Sequence, residues 1–186
     1  LSHLTQEAII RNYGGFYRTN MQMNVDANIT KKLKIGGSMN GRIETKKNPG
    51  VPGGDDYWTA LFAIYRNLPT IRPYANDNPN YPAKTSTNNS TNFAILNYDL
   101  SGKYEDTWRV MQLNLSAEYQ IMDGFKLNLL GGYYLADRVQ NNHEYTYKLY
   151  GYNTDTDEYY VVDRMDNPYM ERTYAKVEET SGQFTF

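Results

Sequence analysis

Four stretches of the chain alternate with a period of two. From Tyr17 to Ile29 the odd positions are Tyr17, Thr19, Met21, Met23, Val25, Ala27 and Ile29, and the even positions are Arg18, Asn20, Gln22, Asn24, Asp26 and Asn28. Successive side chains of a strand point to opposite faces, so this spacing predicts a strand with one apolar and one polar face. Leu33 to Glu44 repeats the pattern, with Leu33, Ile35, Met39 and Ile43 against Lys34, Ser38, Asn40, Arg42 and Glu44. The third stretch runs from about Trp108 to Ile121, where Met111, Leu113, Leu115 and Ala117 alternate with Gln112, Asn114, Ser116 and Glu118. The fourth runs from Phe125 to about Val139, with Phe125, Leu127, Leu129, Tyr133 and Leu135 as its apolar row. A fifth strand is expected to begin near Lys176.

The connections fall into two kinds. Thr30-Lys31-Lys32 and Met122-Asp123-Gly124 read as tight hairpin turns, whereas the other connections are long, about 61 residues from Thr45 to Glu105 and about 35 from Gln140 to Tyr174. Short turns at one end of a sheet and long loops at the other are the pattern of an outer-membrane barrel. The 13 residues from Tyr17 to Ile29 exceed the ~9–11 that a tilted membrane strand needs. The alternative is a secreted β-sandwich acting as a carbohydrate-binding module, a fold that also alternates apolar and polar positions. Its strands usually run only ~5–6 residues, and its turns are not sorted by length to one end.

The first long connection carries one helical pattern. Asp55-Asp56 supplies an acidic start, Trp58, Leu61, Phe62, Tyr65 and Leu68 recur at helical spacing, and Pro69 stops the run. The expected role of this apolar stripe is to dock the helix. The segment from Pro73 to Pro82 is broken by prolines and asparagines into an irregular path.

Composition narrows the chemistry. Tyr occurs 19 times and Asn 20 times in 186 residues, which suits strands joined by polar loops and excludes a disordered chain. With no Cys and only His3 and His143, thiolate zinc sites, disulfide scaffolds and multi-His metal centres are out. A net charge of −2 gives no basic field for nucleic acid. The mean hydropathy is −0.75 and no long apolar run exists, so no helical membrane span is expected. No nucleophile elbow, phosphate-binding glycine loop or His-Glu-x-x-His is present, and no enzyme activity or cofactor is expected. Asp155-Thr156-Asp157-Glu158 could offer oxygen ligands to calcium, but no EF-hand loop surrounds it, so a solvated loop tip is expected. The chain opens at Leu1 and ends at Phe186, and it reads as an internal piece of a longer protein.

Three phrases together resemble the SusC/RagA family of TonB-dependent outer-membrane transporters: NMQMNVDANITKKLKIGGSMNGRIE, LFAIYRNLPTIRPYANDNPNYPA and NFAILNYDLSGKYEDTWRVMQLNLSAEYQIMDGFKLNLLGGYY. The resemblance implies an all-β, antiparallel up-and-down meander. It would be part of a transmembrane barrel of about 22 strands, with long extracellular loops and one short loop helix. Residues 1–186 would supply four complete strands, part of another and two extracellular loops, with the plug and N-terminal domains lying elsewhere. The implied role is import of glycan oligosaccharides or peptides across the outer membrane of a Bacteroides-type Gram-negative cell. A SusD-like surface lipoprotein would cap the barrel, outer-membrane lipid would surround it, and TonB would energise it. In that frame Arg18, Asn20, Arg42, Glu44, Trp108 and Arg138 face the lumen near the extracellular end, as candidate contacts to ligand or plug. Asn and Gln hydrogen-bond sugars or peptides without a fixed charge, and aromatic rings stack on sugar faces.

Overall fold

The computed structural model describes residues 1–8, 10–50, 57–85 and 92–186. Six antiparallel strands form one sheet: β1 (Ser2–Glu7), β2 (Gly15–Asn28), β3 (Leu33–Pro49), β4 (Gly102–Met122), β5 (Phe125–Glu144) and a last strand, Tyr169–Thr185. Between β5 and that last strand lies a separate two-stranded hairpin of β6 (Tyr147–Asn153) and β7 (Glu158–Met165), which makes the last strand β8. Neighbours in sequence are neighbours in the six-stranded sheet, so it is an up-and-down meander with β1 and β8 as its edges. The sheet is open. The second, face-packed sheet that a sandwich requires is not formed by the described strands.

The four predicted strands are present, paired in the predicted order, and longer than the alternation marked. β3 continues five residues past Glu44 to Pro49, and β4 starts at Gly102, six residues before Trp108. In these extensions both faces are polar, as at Lys46, Lys47, Glu105 and Asp106, so the period fades while the backbone ladder continues. The last strand is a full 17 residues from Tyr169, not a fragment starting near Lys176. β1 and the β6–β7 hairpin were not anticipated. β1 is six exposed residues without clean alternation, and the hairpin's row of tyrosines reads as loop composition.

The tight turns close as expected. The Thr30 hydroxyl accepts the Lys32 and Leu33 backbone N–H groups at 3.1 and 3.0 Å, a side-chain mimic of a turn. Met122 pairs with Phe125, leaving Asp123-Gly124 as a two-residue loop, and Gly124 takes the positive φ of +80° that such a loop requires. Both turns lie at one end of the sheet. The connections 8–14, 50–101 and 145–168 all lie at the other.

The buried core belongs to these connections rather than to the sheet. Tyr13, Ala63, Ala94, Leu96, Tyr147 and Leu149 pack together, drawn from three separate connecting segments. Two α-helices, not one, contribute: α1 (Tyr57–Arg66) and the single turn α2 (Tyr98–Ser101). The expected start of α1 at Asp55-Asp56 lies outside the described residues, as do the side chains of Trp58 and Leu61. The remainder of the predicted stripe is corrected: Phe62, Tyr65 and Leu68 are exposed, while Ala63 and Asn67 are buried. Ala63 meets the compact cluster around Tyr13, Ala94 and Leu149, and Asn67, just past the helix, donates to the Ala63 carbonyl, so among the described side chains of the helix it is the small Ala63 that docks.

Candidate functional site

Strand register places the six candidate residues together. In the antiparallel ladder, residues directly opposite share a face. Arg18 pairs with Glu44, Glu44 with Trp108, and Trp108 with Arg138, forming one row across β2, β3, β4 and β5. Asn20 pairs with Arg42 in the next row. All six therefore occupy one face and two adjacent rows, toward the end of the sheet that carries the long connections.

Their charges are partly compensated on the same face. Glu44 lies 3.6 Å from Arg18 and 3.5 Å from Arg42, so one carboxylate sits between two guanidinium groups. Arg138 makes a two-pronged contact with Asp106, Nε donating to Oδ1 at 2.8 Å and Nη2 to Oδ2 at 2.7 Å. The same guanidinium lies 5.3 Å from the Trp108 ring centre, within cation–π range. Asn20 donates from Nδ2 to the Ser2 hydroxyl at 3.2 Å, tying β2 to the edge strand. Asp106 is the member that sequence reasoning missed. It lies two residues before Trp108, on the same face, in the part of β4 where alternation had faded.

Farther from the loops, the same face changes character. Asn24, Ser38 and Asn114 line up across β2, β3 and β4, with Asn114 Nδ2 donating to Ser38 Oγ at 3.1 Å. A hollow of about 700 Å³ opens here, lined in part by Asn24, Asp26, Ser38, Asn114, Ser116 and Ser181. Glycines make the room: a Cβ on Gly36 would sit 2.5 Å from Ser116 Oγ, and one on Gly132 would sit 2.6 Å from Ser181 Oγ.

The opposite face is apolar and open. Met21, Met23 and Val25 on β2 lie in register with Met111, Leu113 and Leu115 on β4, through Gly41, Met39 and Gly37 on β3. Val25 is 56% exposed and Leu115 66%, so none of the described residues covers this band. Its loop-side limit is a row containing the Arg109–Asp137 ion pair at 3.3 Å.

Beyond that limit, titratable groups sit among the connections. The Tyr98 hydroxyl donates to Glu105 at 2.9 Å, and Lys47 approaches Glu105 at 3.2 Å. Burial and the adjoining Glu105 carboxylate hold the Tyr98 phenol well above its usual range. Burial alone would raise Glu105, but the Tyr98 hydroxyl and Lys47 outweigh it and bring its carboxyl below the usual value. Glu144, at the loop-side end of β5, is raised by burial, which its Asn142 contact only partly offsets. Burial, with the Asp163 and Glu144 charges, pushes Tyr147 up to about 12.

Among the described residues no three His, Asp or Glu side chains converge as a metal-ligand group. The Asp155–Glu158 segment forms the tip of the β6–β7 hairpin, where Asp157 accepts a bond from the Tyr152 hydroxyl. No protein-family model matches the chain, and no curated protein matches it.

Proposed function

We propose that this chain is part of the wall of a SusC/RagA-type, TonB-dependent outer-membrane importer. In this reading the exposed apolar band contacts lipid and the polar face lines the lumen. The long connections face outward toward a SusD-like lipoprotein, and segments outside this chain supply the plug and the contact with TonB. The chain binds and passes a glycan oligosaccharide or peptide, and it does no covalent chemistry. The observation that carries the reading is the exposed apolar band, set in register across β2–β5 and backed by a face rich in Asn, Gln and Ser. An aqueous protein does not leave such a band uncovered, whereas a barrel wall requires it.

The test uses single cysteines, which the chain otherwise lacks. Asn114→Cys and Leu115→Cys are placed in the protein as it is produced in outer-membrane vesicles. A water-soluble maleimide should label position 114 when the lumen is open to it, and a lipid-partitioning reagent should label 115. Equal labelling of both positions by the aqueous reagent defeats the assignment.

A further inference from the structure

The β6–β7 hairpin carries an aromatic surface that the wall reading leaves unused. Gly151 stands opposite Tyr160, and the Tyr160 ring lies over it: a Cβ on Gly151 would sit 2.6 Å from Tyr160 Cζ. One ring face is thus seated on backbone, and Tyr160 remains 54% exposed. The adjacent pair on the same side of the hairpin is Asn153 and Glu158, both exposed. The Asn153 Oδ1 accepts the Asp155 N–H at 2.9 Å, which fixes the amide and leaves its NH₂ to donate outward. A shallow, open concavity wraps the hairpin tip and includes Asn153, Glu158 and Tyr160 in its lining, together with Tyr81 and Tyr159 from the other side.

The other side of the hairpin is held rigidly. Tyr81 stacks on Tyr159 at 3.7 Å with rings 5° from parallel, and meets Tyr150 edge-on at 5.1 Å. Tyr150 N–H donates to the Pro82 carbonyl at 2.7 Å, and Lys84 pairs with Asp163 at 2.8 Å. The exposed ring is therefore presented by a braced element rather than by a free loop, which lowers the ordering cost of binding.

We propose that this hairpin side is a carbohydrate-binding site, in which the free face of Tyr160 stacks on a neutral sugar ring while Asn153 donates to, and Glu158 accepts from, its hydroxyls. A flat aromatic face takes the C–H side of a pyranose, and a paired amide and carboxylate match the mixed donors and acceptors of vicinal hydroxyls. The acidic tip, with Asp155, Asp157 and Glu158, repels phosphorylated or sulfated ligands and selects uncharged ones. The site rests on the connections alone and does not depend on how the sheet meets the membrane.

The test titrates the full chain with maltohexaose, cellohexaose, laminarihexaose and xylohexaose by calorimetry and saturation-transfer NMR. The detergent is lauryldimethylamine oxide, which carries no sugar. At least one oligosaccharide should bind. Tyr160→Ala should weaken it about tenfold, the upper range for one aromatic contact, and Tyr160→Phe should stay within about twofold. Gly151→Val keeps the ring but displaces it, and should weaken binding as well; circular dichroism confirms that each variant is folded. Three results overturn the proposal: no binding by any of the four sugars, binding unchanged in Tyr160→Ala, or binding of hexalysine with no sugar bound, which assigns the acidic tip to cationic peptides. Equal cysteine labelling at 114 and 115 would leave this outcome untouched, so the two readings fail separately.

Discussion

Replacing Leu115 by Arg separates a lipid-facing wall from a water-facing sheet with a single residue. On β4 the apolar row runs from Met111 to Ile121, 11 residues, with Leu115 near its middle. Ten steps at ~3.3 Å span ~33 Å along the strand, or ~23 Å of height at a tilt of ~45°, close to the ~25 Å apolar band of outer-membrane barrels. Leu115 is 66% exposed, so in water an Arg there displaces no packing and should change stability by no more than about 0.5 kcal/mol. Near the midplane of a bilayer the same change costs roughly 2–4 kcal/mol, a factor of roughly 30 to 700 in the folding equilibrium. The assay is reversible urea unfolding in lipid vesicles, followed by Trp emission and by gel mobility without boiling. Gln112→Arg, on the opposite face, serves as the control and should stay within about 0.5 kcal/mol. If Leu115→Arg inserts normally and unfolds at the parent's urea midpoint, the lipid-facing assignment is wrong.

Three further outcomes follow from the site geometry. A double-mutant cycle between Asp106→Ala and Arg138→Ala should give a coupling of about 1 kcal/mol, because the pair is two-pronged but partly solvated; a coupling near zero by urea denaturation would show it to be idle. Gly36→Val should cost about 1–3 kcal/mol in the same measurement, since its Cβ meets Ser116 Oγ, and Ser116→Ala should restore part of the loss. Glu144 has a raised folded-state pKa, so the native chain binds its proton more tightly than the unfolded chain does, and stability should fall as pH rises above about 4.5 through the folded value. Protection factors for hydrogen exchange at Tyr145 to Leu149, taken relative to the unfolded chain at each pH, should therefore fall across that interval, and Glu144→Gln should flatten the dependence.

The sheet was legible where one face is apolar. Met21, Met23 and Val25 alternate with Gln22 and Asn24, and the strand they predict is present with the predicted partner. Alternation is a contrast between faces, so it vanishes where both are polar. That is why the ends of β3 and β4, with Lys46, Lys47, Glu105 and Asp106, read as loop although they are paired strand. The described part of the α1 stripe, Phe62, Tyr65 and Leu68, misled for the opposite reason. Large apolar residues at helical spacing signal a buried face only when the receiving surface has room for them. Here it accepts Ala63 and leaves Phe62 and Tyr65 outside.

The candidate site was legible as a set but not as a network. Parity along each strand was enough to put Arg18, Asn20, Arg42, Glu44, Trp108 and Arg138 on one face. It could not reveal that Arg138 is held by Asp106, because cross-strand neighbours depend on register, which is fixed by turns many residues away. Register also shows that charge begins on the apolar face at nearly the height of the charged cluster on the polar face. Arg109–Asp137 marks it on the apolar side, and Arg18–Glu44 with Arg138–Asp106 marks it on the polar side. Between those rows and the tight turns, the apolar face of β2, β3, β4 and β5 carries no charged side chain, and β8 adds Glu178 only in the row next to Arg109–Asp137; the polar face keeps a few, such as Asp26, Lys34 and Glu118. A sheet bathed in water on both sides has no reason to exclude charge from one face over such a height and then admit it abruptly. A wall that crosses an apolar layer and emerges into water, as proposed above, does, and its emergence would fall on the side where the long connections build their own core and hold the Tyr160 hairpin.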